Sequence, residues 1–485
     1  MQSIFLGYGK SEDPNSWVLF IGDDINTDAS PTNPGRFYGG ASYMALEVDN
    51  QGNYLVGSTR YQSSSVNALL YLSKISNQGI LLWELELTEQ YGTGPLYDCR
   101  TYMEDIVVDD ENAIYVTGSI VTTGAQNGFL MKLSDTGLVQ WQQHWAYPDV
   151  SYTNVGYKVR FNDNNDPVVF GTYNYTRPYE IGGHLQHGIC YAFDKVSGTR
   201  LTDRIFIGSS GGLGSCYFYD ADRIGDYFYI RMNGYYTHSP YVGGRSQSAI
   251  IKTNMACTTL EAIQNTHIGS NSNVYIYEGL ETNGTNVAAT TQLNDGAGGG
   301  PKQWHIFDTD LNQLYGWRYN NSAAGVVQGL NHNWVYEGNF IYAAVTTNDE
   351  LVHFFKFNMT TGAIIWQNKM QGDTNNKIAS STYNESYLRK DADGYLVYLN
   401  STNKTELYGD AHVLISFRVP EDGTALGDYG NYEYSASTDV SLTTTDPPTG
   451  SNPATYPSAT APTDYGDPGV VEQDPNIPIY KVSKI

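Results

Sequence analysis

The sequence is poor in basic residues, cysteine and long apolar runs, and each scarcity excludes a class of function. Only 27 lysines and arginines stand against 51 aspartates and glutamates, so the formal net charge is -24. Nucleic acids and anionic membranes bind basic surfaces, and neither is expected as a partner of so acidic a chain. No stretch of 18 apolar residues is present, so we expect no membrane insertion.

Cysteine is equally scarce. The four cysteines are scattered at Cys99, Cys190, Cys216 and Cys257. This spacing is typical of neither a disulfide framework nor a metal site, so we expect buried free thiols, no metal and no cofactor. The first 16 residues also lack the charged start and the long apolar stretch of a signal peptide.

Strand-forming runs separated by turn residues recur along most of the chain. Residues 45–87 contain four such runs, and the glycine of the third turn returns at Gly79, Gly137 and Gly198, 58 and 61 residues apart. This period gives about seven units of four short antiparallel strands, which predicts an all-β fold of the β-propeller type. Six or eight blades are the alternatives if the irregular fourth unit or the N-terminal lead-in is misassigned.

The third turn carries a second signal. A tryptophan follows the glycine by four residues in Gly79/Trp83, Gly137/Trp141 and Gly362/Trp366. A tryptophan that returns at one strand position predicts equivalent packing between neighbouring blades.

The chain divides into three regions. Residues 1–40 are a lead-in whose run Trp17–Ile21 is a candidate for closing the ring, and residues 41–430 form the propeller. Residues 431–485 hold eight of the 18 prolines, between Pro447 and Pro478. We expect an extended arm that lies on a neighbouring chain, with regular sheet only at its proline-free end. The residues expected to anchor this arm are Ile479, Val482 and Ile485.

Sequences that approach catalytic motifs lack the context that their chemistry needs. SDTGLVQW, around Gly137, has the wrong spacing for the aspartate box of sialidase-type propellers, and GSSGG (208–212) precedes another strand instead of the helix of a nucleophile elbow. The acidic turns 162–166 and 391–394 lack the distal glutamate of a calcium loop and are expected to be solvated. The prediction is therefore a protein that is not an enzyme.

Long connections between the second and third strands of the third and fourth units are the candidate recognition surface. Insertions on one face of a repeat protein often mark its binding face, and tyrosine and arginine are typical of adaptable contact surfaces. The candidate residues are Tyr175, Arg177, Tyr179, Tyr235, Tyr236, His238, Tyr241 and Arg245.

The hairpins TGLVQW and TGAIIW resemble the repeats of pyrroloquinoline-quinone-type propellers. The chain has no adjacent cysteine pair of the kind found in those dehydrogenases, so the resemblance implies blade architecture and no quinone. In overall style the chain is similar to propeller-bearing virion proteins of bacteriophages. That resemblance implies a virion location, partners among other virion proteins in a homo- or hetero-oligomeric assembly, and contact with a host-surface glycan or protein.

Two other functions stay open at this point. One is a carbohydrate-binding or glycan-cleaving propeller of the lectin or glycosidase type. The other is a bacterial surface or secreted propeller.

Overall fold

The alternating apolar residues of each repeat form hairpins that stack around an axis in the computed structural model. The structure describes residues 3–10, 13, 15–23, 44–61, 68–89, 100–122, 125–145, 153–175, 185–206, 215–236, 245–265, 274–294, 302–321, 332–347, 350–373, 376–378, 386–404, 412–430, 432–445 and 480–484. In this part of the chain every regular element is a β-strand, and no helix could span a membrane.

The strands form seven antiparallel four-stranded blades, which confirms the predicted propeller. Blade 1 consists of β3 (Met44–Val48), β4 (Tyr54–Tyr61), β5 (Ala68–Ile75) and β6 (Leu81–Glu89). Blade 2 consists of β7 (Arg100–Val108), β8 (Ile114–Thr122), β9 (Ala125–Leu133) and β10 (Val139–Trp145). Blade 3 consists of β11 (Val155–Phe161), β12 (Pro167–Tyr175), β13 (Leu185–Phe193) and β14 (Arg200–Phe206). Blade 4 consists of β15 (Ser215–Ile224), β16 (Tyr227–Tyr236), β17 (Arg245–Asn254) and β18 (Leu260–Asn265).

The remaining blades also take strands from the chain termini. Blade 5 consists of β19 (Val274–Thr282), β20 (Val287–Asn294), β21 (Lys302–Phe307) and β22 (Gln313–Asn321). Blade 6 consists of β23 (Trp334–Glu337), β24 (Phe340–Thr346), β25 (Leu351–Asn358) and β26 (Ile364–Gly372). Blade 7 consists of β28 (Tyr387–Lys390), β29 (Tyr395–Lys404), β30 (His412–Pro420) and β2 (Trp17–Asp23), with β1 (Ser3–Lys10) outside β2 and the short β27 (Asn376–Ile378) against β29.

The N-terminal strand completes the last blade. β2 pairs with β30 from Trp17 opposite Arg418 to Ile21 opposite Leu414. The guanidinium of Arg418 is 2 % exposed and donates to the Asp391 carboxylate at 2.7 Å, to the Tyr54 hydroxyl at 2.6 Å and to the Asn15 carbonyl at 2.6 Å. One buried side chain therefore joins blade 7, blade 1 and the segment before β2.

Tryptophans of the fourth strand join neighbouring blades, as the glycine–tryptophan spacing predicts. Each indole N–H donates to a carbonyl in the third turn of the next blade. The pairs are Trp17–Asn77, Trp83–Asp135, Trp141–Lys195, Trp317–Met359 and Trp366–Glu421. At four of these junctions the indole ring lies against the turn glycine of the next blade. At Gly362, for example, an added Cβ would come within 2.2 Å of Trp317.

The two junctions without a tryptophan carry a side chain at the turn position instead. Thr202 and Ala262 stand where the other blades have tryptophan. The facing turn residues are Cys257 and Leu311, whose φ of 53° and 63° match the positive φ of the turn glycines. A smaller residue on one blade thus leaves room for a larger one on the next.

Cys257 uses this room to form a disulfide with Cys190 of blade 3. The expectation of free thiols is wrong for this pair. The two cysteines are 67 residues apart in the chain, and only the stacking of blades 3 and 4 brings them together. The side chains of Cys99 and Cys216 lie outside the described residues.

The C-terminal region adds three strands to the propeller itself. β31 (Gly427–Asp428) and β32 (Tyr432–Ala436) extend blade 6, and β33 (Val440–Thr444) pairs with β22 of blade 5. Tyr432 and Tyr434 are buried in the core of blades 6 and 7. The expectation that regular sheet begins only after Pro478 is therefore wrong, because the stretch before Pro447 carries apolar residues in alternation.

The last described strand, β34 (Tyr480–Lys484), pairs with β6 of blade 1. It contains Val482, which is one of the residues expected to anchor the arm and which lies opposite Leu87. Ile479 and Ile485 lie outside the described residues.

Candidate functional site

The first strand of each blade lines the central channel of a propeller. The pairing within the first hairpin of each blade shows which residues of these strands are equivalent. One such position carries a charged residue in five blades and valine in two. The seven members are Glu47, Val107, Arg160, Asp222, Glu281, Val335 and Arg389. We call this set the charged ring.

The two arginines of the charged ring bridge acids on other blades. Arg389 contacts Glu47 at 3.4 Å and Glu281 at 3.8 Å, passing the valine of blade 6. Arg160 contacts Asp222 at 3.5 Å and Asp105 at 3.0 Å. These contacts cross between blades and connect acids of blades 1, 2, 4 and 5 through two arginines.

A second layer of charge is fully buried. Lys158, 2 % exposed, lies 3.1 Å from Asp105 and 3.6 Å from Asp220. The same aspartates accept backbone N–H groups of the next blade, Asp105 from Val159 and Asp220 from Leu280. Buried charges are tolerated when they are paired and hydrogen-bonded in this way. This layer holds neighbouring inner strands together.

Glu281 differs from an ordinary carboxylate. Its pKa is raised to about 8, chiefly by burial and also by the charges of Asp222 and Asp220, while Arg389 opposes the rise. Tyr336 N–H donates to its Oε2 at 3.1 Å. Glu281 is therefore largely a neutral carboxylic acid near pH 7, with a proton available for donation.

The raised pKa of Glu281 should make the free energy of unfolding depend on pH. The folded-state pKa of Glu281, about 8, exceeds the reference value of 4.5, so the native state binds more protons than the unfolded state between these values. The contribution is fully present below pH 4.5 and is lost as pH rises through 8. In Glu281→Gln, unfolding free energies measured by denaturant titration from pH 5 to 8 should fall less than in wild type. Glu337→Gln, at a side chain 53 % exposed, is the matched control and should keep the wild-type slope, whereas an unchanged slope in Glu281→Gln would exclude a raised pKa.

A second row of channel residues lies nearer the end where the inner strands begin. In four consecutive blades the inner strand has a β-bulge at the same place, between Met103 and Asp105, Gly156 and Lys158, Phe218 and Asp220, and Tyr277 and Gly279. Bulges redirect a side chain and are frequent at functional sites. The residues at the bulges are Glu104, Tyr157, Tyr219 and Glu278. We call them the bulge row.

The tyrosines of the bulge row form an aromatic platform. The rings of Tyr157 and Tyr219 are 4.8 Å apart, and Tyr217 stacks on Tyr219 at 5.6 Å with an interplanar angle of 14°. The guanidinium of Arg231 lies 5.1 Å from the Tyr219 ring centre. All three tyrosines are partly exposed.

Acidic side chains stand on both sides of this platform. The pKa of Tyr219 is raised to about 12, chiefly by burial and also by Tyr217 and Glu104, while Arg231 opposes the rise. Glu104 is therefore within electrostatic range of the platform. On the other side, Lys302 Nζ donates to both carboxylate oxygens of Glu278 at 2.8 Å and fixes their orientation.

His332 lies in the same layer on blade 6. Its ring stacks on Tyr387 at 5.0 Å. Burial lowers the pKa of His332 well below its usual value, and the positive charges of Lys158 and Arg389 lower it further. The imidazole is neutral, so it offers one donor and one acceptor to the channel.

The predicted recognition residues fall at the same end of the channel where their backbone is described. Tyr175 ends β12, Tyr235 and Tyr236 end β16, and Arg245 begins β17, all in blades 3 and 4. These are the blades that carry Tyr157 and Tyr219. Nothing is described of the side chains of those four residues. Arg177, Tyr179, His238 and Tyr241 lie outside the described residues.

The two acidic turns differ from each other: Asp163 in the turn 162–166 is exposed, as expected, whereas Asp391 in the turn 391–394 is buried. Asp391 is 3 % exposed and paired with Arg418, so it is not a solvated turn residue. Among the described residues no group of three or more His, Cys, Asp or Glu is placed to hold a metal ion.

Sequence reasoning missed the channel residues. The available signal was the charge inside first-strand runs such as YKVRF (157–161) and YDADR (219–223), where a buried strand should be apolar. A charge at such a position faces either a neighbouring blade or the channel.

No protein-family model and no curated protein matches the chain. Among solved structures it is similar to the ulvan lyase of a polysaccharide lyase family, with 10% identity, 80% of this chain and 96% of that chain covered, and a TM-score of 0.47. It is also similar to the α-L-arabinofuranosidase of Fusarium graminearum, with 10% identity, 85% and 98% covered, and a TM-score of 0.41. A third similar structure is the extracellular region of Plexin A4, with 10% identity, 80% of this chain and 51% of that chain covered, and a TM-score of 0.46. The chain therefore spans about half of that protein. Likenesses of this degree concern the propeller architecture alone.

These structures correct one expectation. The inference that the chain is not an enzyme rested on the absence of catalytic motifs, but similar propellers include an arabinofuranosidase and a polysaccharide lyase. The physical reason is that a propeller assembles a channel site from single residues on separate blades. Such a site leaves no motif within any one stretch of sequence.

Proposed function

We propose that this protein is a carbohydrate-active propeller that binds a glycan chain at the end of its channel. The observation that carries the proposal is the bulge row. Four consecutive blades present Glu104, Tyr157, Tyr219 and Glu278 at one structural position, so two tyrosines are flanked by two carboxylates.

Sugar rings fit this arrangement chemically. Their C–H faces are apolar and pack on aromatic rings such as the Tyr157–Tyr219 pair, 4.8 Å apart. Their hydroxyl groups donate to carboxylates and accept from Arg231 and His332. The described charges of the channel are more acidic than basic, which favours a neutral sugar over a uronate.

We infer a catalytic role for the two glutamates as well. Glycoside hydrolysis uses two carboxyl groups that flank the scissile bond. Glu104 and Glu278 stand on either side of the platform, and we assign them this role.

Binding should depend on the aromatic rings. A carbohydrate array should give a positive glycan, and Tyr157→Ala and Tyr219→Ala should each weaken its binding about tenfold, because an aromatic contact contributes about 0.5–1.5 kcal/mol beyond buried area. Tyr219→Phe keeps the ring and is the matched control. Isothermal titration with the array-positive glycan provides the affinities, and the thermal midpoint shows that each variant is folded.

Cleavage is tested on the same glycan by release of reducing ends. Glu104→Gln should lower the rate by about 100-fold or more, the usual effect of losing a general acid or base, while the affinity stays within a few-fold of wild type. An array without any positive glycan, or alanine variants that bind like wild type, would contradict the proposal.

We further propose that the protein is a virion component on the tail or the capsid surface. Its acidic, tyrosine- and glycine-rich repeats support this location, and the channel would then meet a glycan of the host surface. The partners would be other virion proteins. Mass spectrometry of purified virions should find the chain at a constant ratio to the major capsid protein; its absence from particles would favour the bacterial surface or secreted alternative.

A further inference from the structure

Strands from the chain termini extend the outer edges of four blades. β33 extends blade 5, β32 extends blade 6, β1 extends blade 7 and β34 extends blade 1. Among the described residues, the outer strands of blades 2, 3 and 4 have no such neighbour. The added strands therefore occupy a continuous arc of the ring.

The chain length before each added strand differs greatly. β32 begins 12 residues after β30 ends, and β33 begins four residues after β32 ends. These short connections hold β32 and β33 on their own propeller. In contrast, residues 445–479, a connection of 35 residues, separate β33 from β34.

A connection of this length reaches far beyond one propeller. Thirty-five residues span up to roughly 115 Å when extended. A folded chain of this size is roughly 55–60 Å across by the scaling of radius with length. The connection also contains eight prolines, and a proline cannot donate a backbone N–H to a sheet. A connection of this length can therefore reach the same edge on another molecule as well as the edge of its own blade 1.

The net charge of β6 is opposite to that of β34. β6 carries Glu84, Glu86 and Glu89 and no basic residue, whereas β34 carries Lys481 and Lys484 and no acid. In this register Lys481 lies opposite Thr88 and Lys484 opposite Leu85, so the complementarity is between the net charges of the two strands and not between directly opposed ion pairs. Every copy of the chain presents the same β6 edge in the same register.

We propose that residues 480–484 pair with β6 of a second copy of this chain, so that two or more propellers are joined by exchanged C-terminal strands. The exchange keeps the pairing of Ser483 with Glu86 and of Val482 with Leu87, because the two edges are identical. Exchange of an identical element is a low-cost route to an oligomer.

Cross-linking distinguishes exchange from pairing within one chain. Two differently tagged full-length chains, Glu86→Cys and Ser483→Cys, are co-expressed in a background with Cys99→Ser and Cys216→Ser, and are then oxidised. Directly opposed residues of paired strands are close enough for a disulfide. We expect a covalent heterodimer carrying both tags on a non-reducing gel, and a dimer or larger species by light scattering of wild type.

The control pair is Asp163→Cys with Ser483→Cys, since the side chain of Asp163 is 51 % exposed and lies on a turn of blade 3. It should yield several-fold less heterodimer. A chain with both Glu86→Cys and Ser483→Cys completes the test. If it closes within a monomer while the mixed chains give no heterodimer above the control, or if it forms no bond at all, the proposal is wrong.

Discussion

Arg418→Met is expected to destabilise the propeller by about 3–5 kcal/mol, the usual cost of removing one partner from a buried ion pair. The variant leaves Asp391, whose side chain is 0 % exposed, without its guanidinium. It also removes the hydrogen bond to the Asn15 carbonyl at 2.6 Å, directly before the strand that closes the ring. Denaturant unfolding followed by tryptophan fluorescence measures the loss.

Two further variants make this test specific. Arg223→Met removes a partner of Asp163 from an ion pair whose side chains are 32% and 51% exposed, and exposed pairs contribute about 0–1 kcal/mol. Combining Arg418→Met with Asp391→Asn removes both buried charges and should recover part of the loss. A cost for Arg418→Met no greater than that of Arg223→Met would show that this cluster does not hold the ring closed.

Trp317→Ala is expected to cost about 3–5 kcal/mol, as for other buried tryptophans. Trp317 is 8 % exposed and donates its indole N–H to the Met359 carbonyl at 2.6 Å. The ring also covers Gly362, where a Cβ would lie 2.2 Å from it. The variant leaves a cavity between blades 5 and 6 together with an unbonded carbonyl.

The natural junction of blades 4 and 5 indicates a compensating change. There Ala262 replaces the tryptophan and Leu311 replaces the glycine, with a φ of 63° against 68° at Gly362. Gly362→Leu in the Trp317→Ala background should therefore cost about 1–3 kcal/mol less than the sum of the two single changes. Simple additivity in a double-mutant cycle would contradict the complementarity of the two positions.

The blade architecture and the tryptophan junctions could be predicted because their signals lie within single hairpins that recur along the chain. Gly137 and Trp141, for example, are four residues apart and act at a single turn. The disulfide could not be predicted in this way. Cys190 and Cys257 meet only because Thr202 leaves room between two blades, and that requires the stacking to be known.

The candidate site could not be predicted from the sequence for a related reason. Glu104, Tyr157, Tyr219 and Glu278 come from four strands, and a bulge in each strand shifts the alternation of side chains by one residue. The sequence did indicate the second-to-third-strand connections of blades 3 and 4. Those connections begin at Tyr175 and Tyr236, at the end of the channel where the aromatic platform lies.

The position of a bound glycan tests the central claim most directly. A crystal of the full-length protein, soaked with the glycan that binds best on the array, should show a sugar ring over Tyr157 and Tyr219, with Glu104 and Glu278 on either side of the chain. A glycan bound elsewhere on the propeller, with the platform unoccupied, would contradict the account.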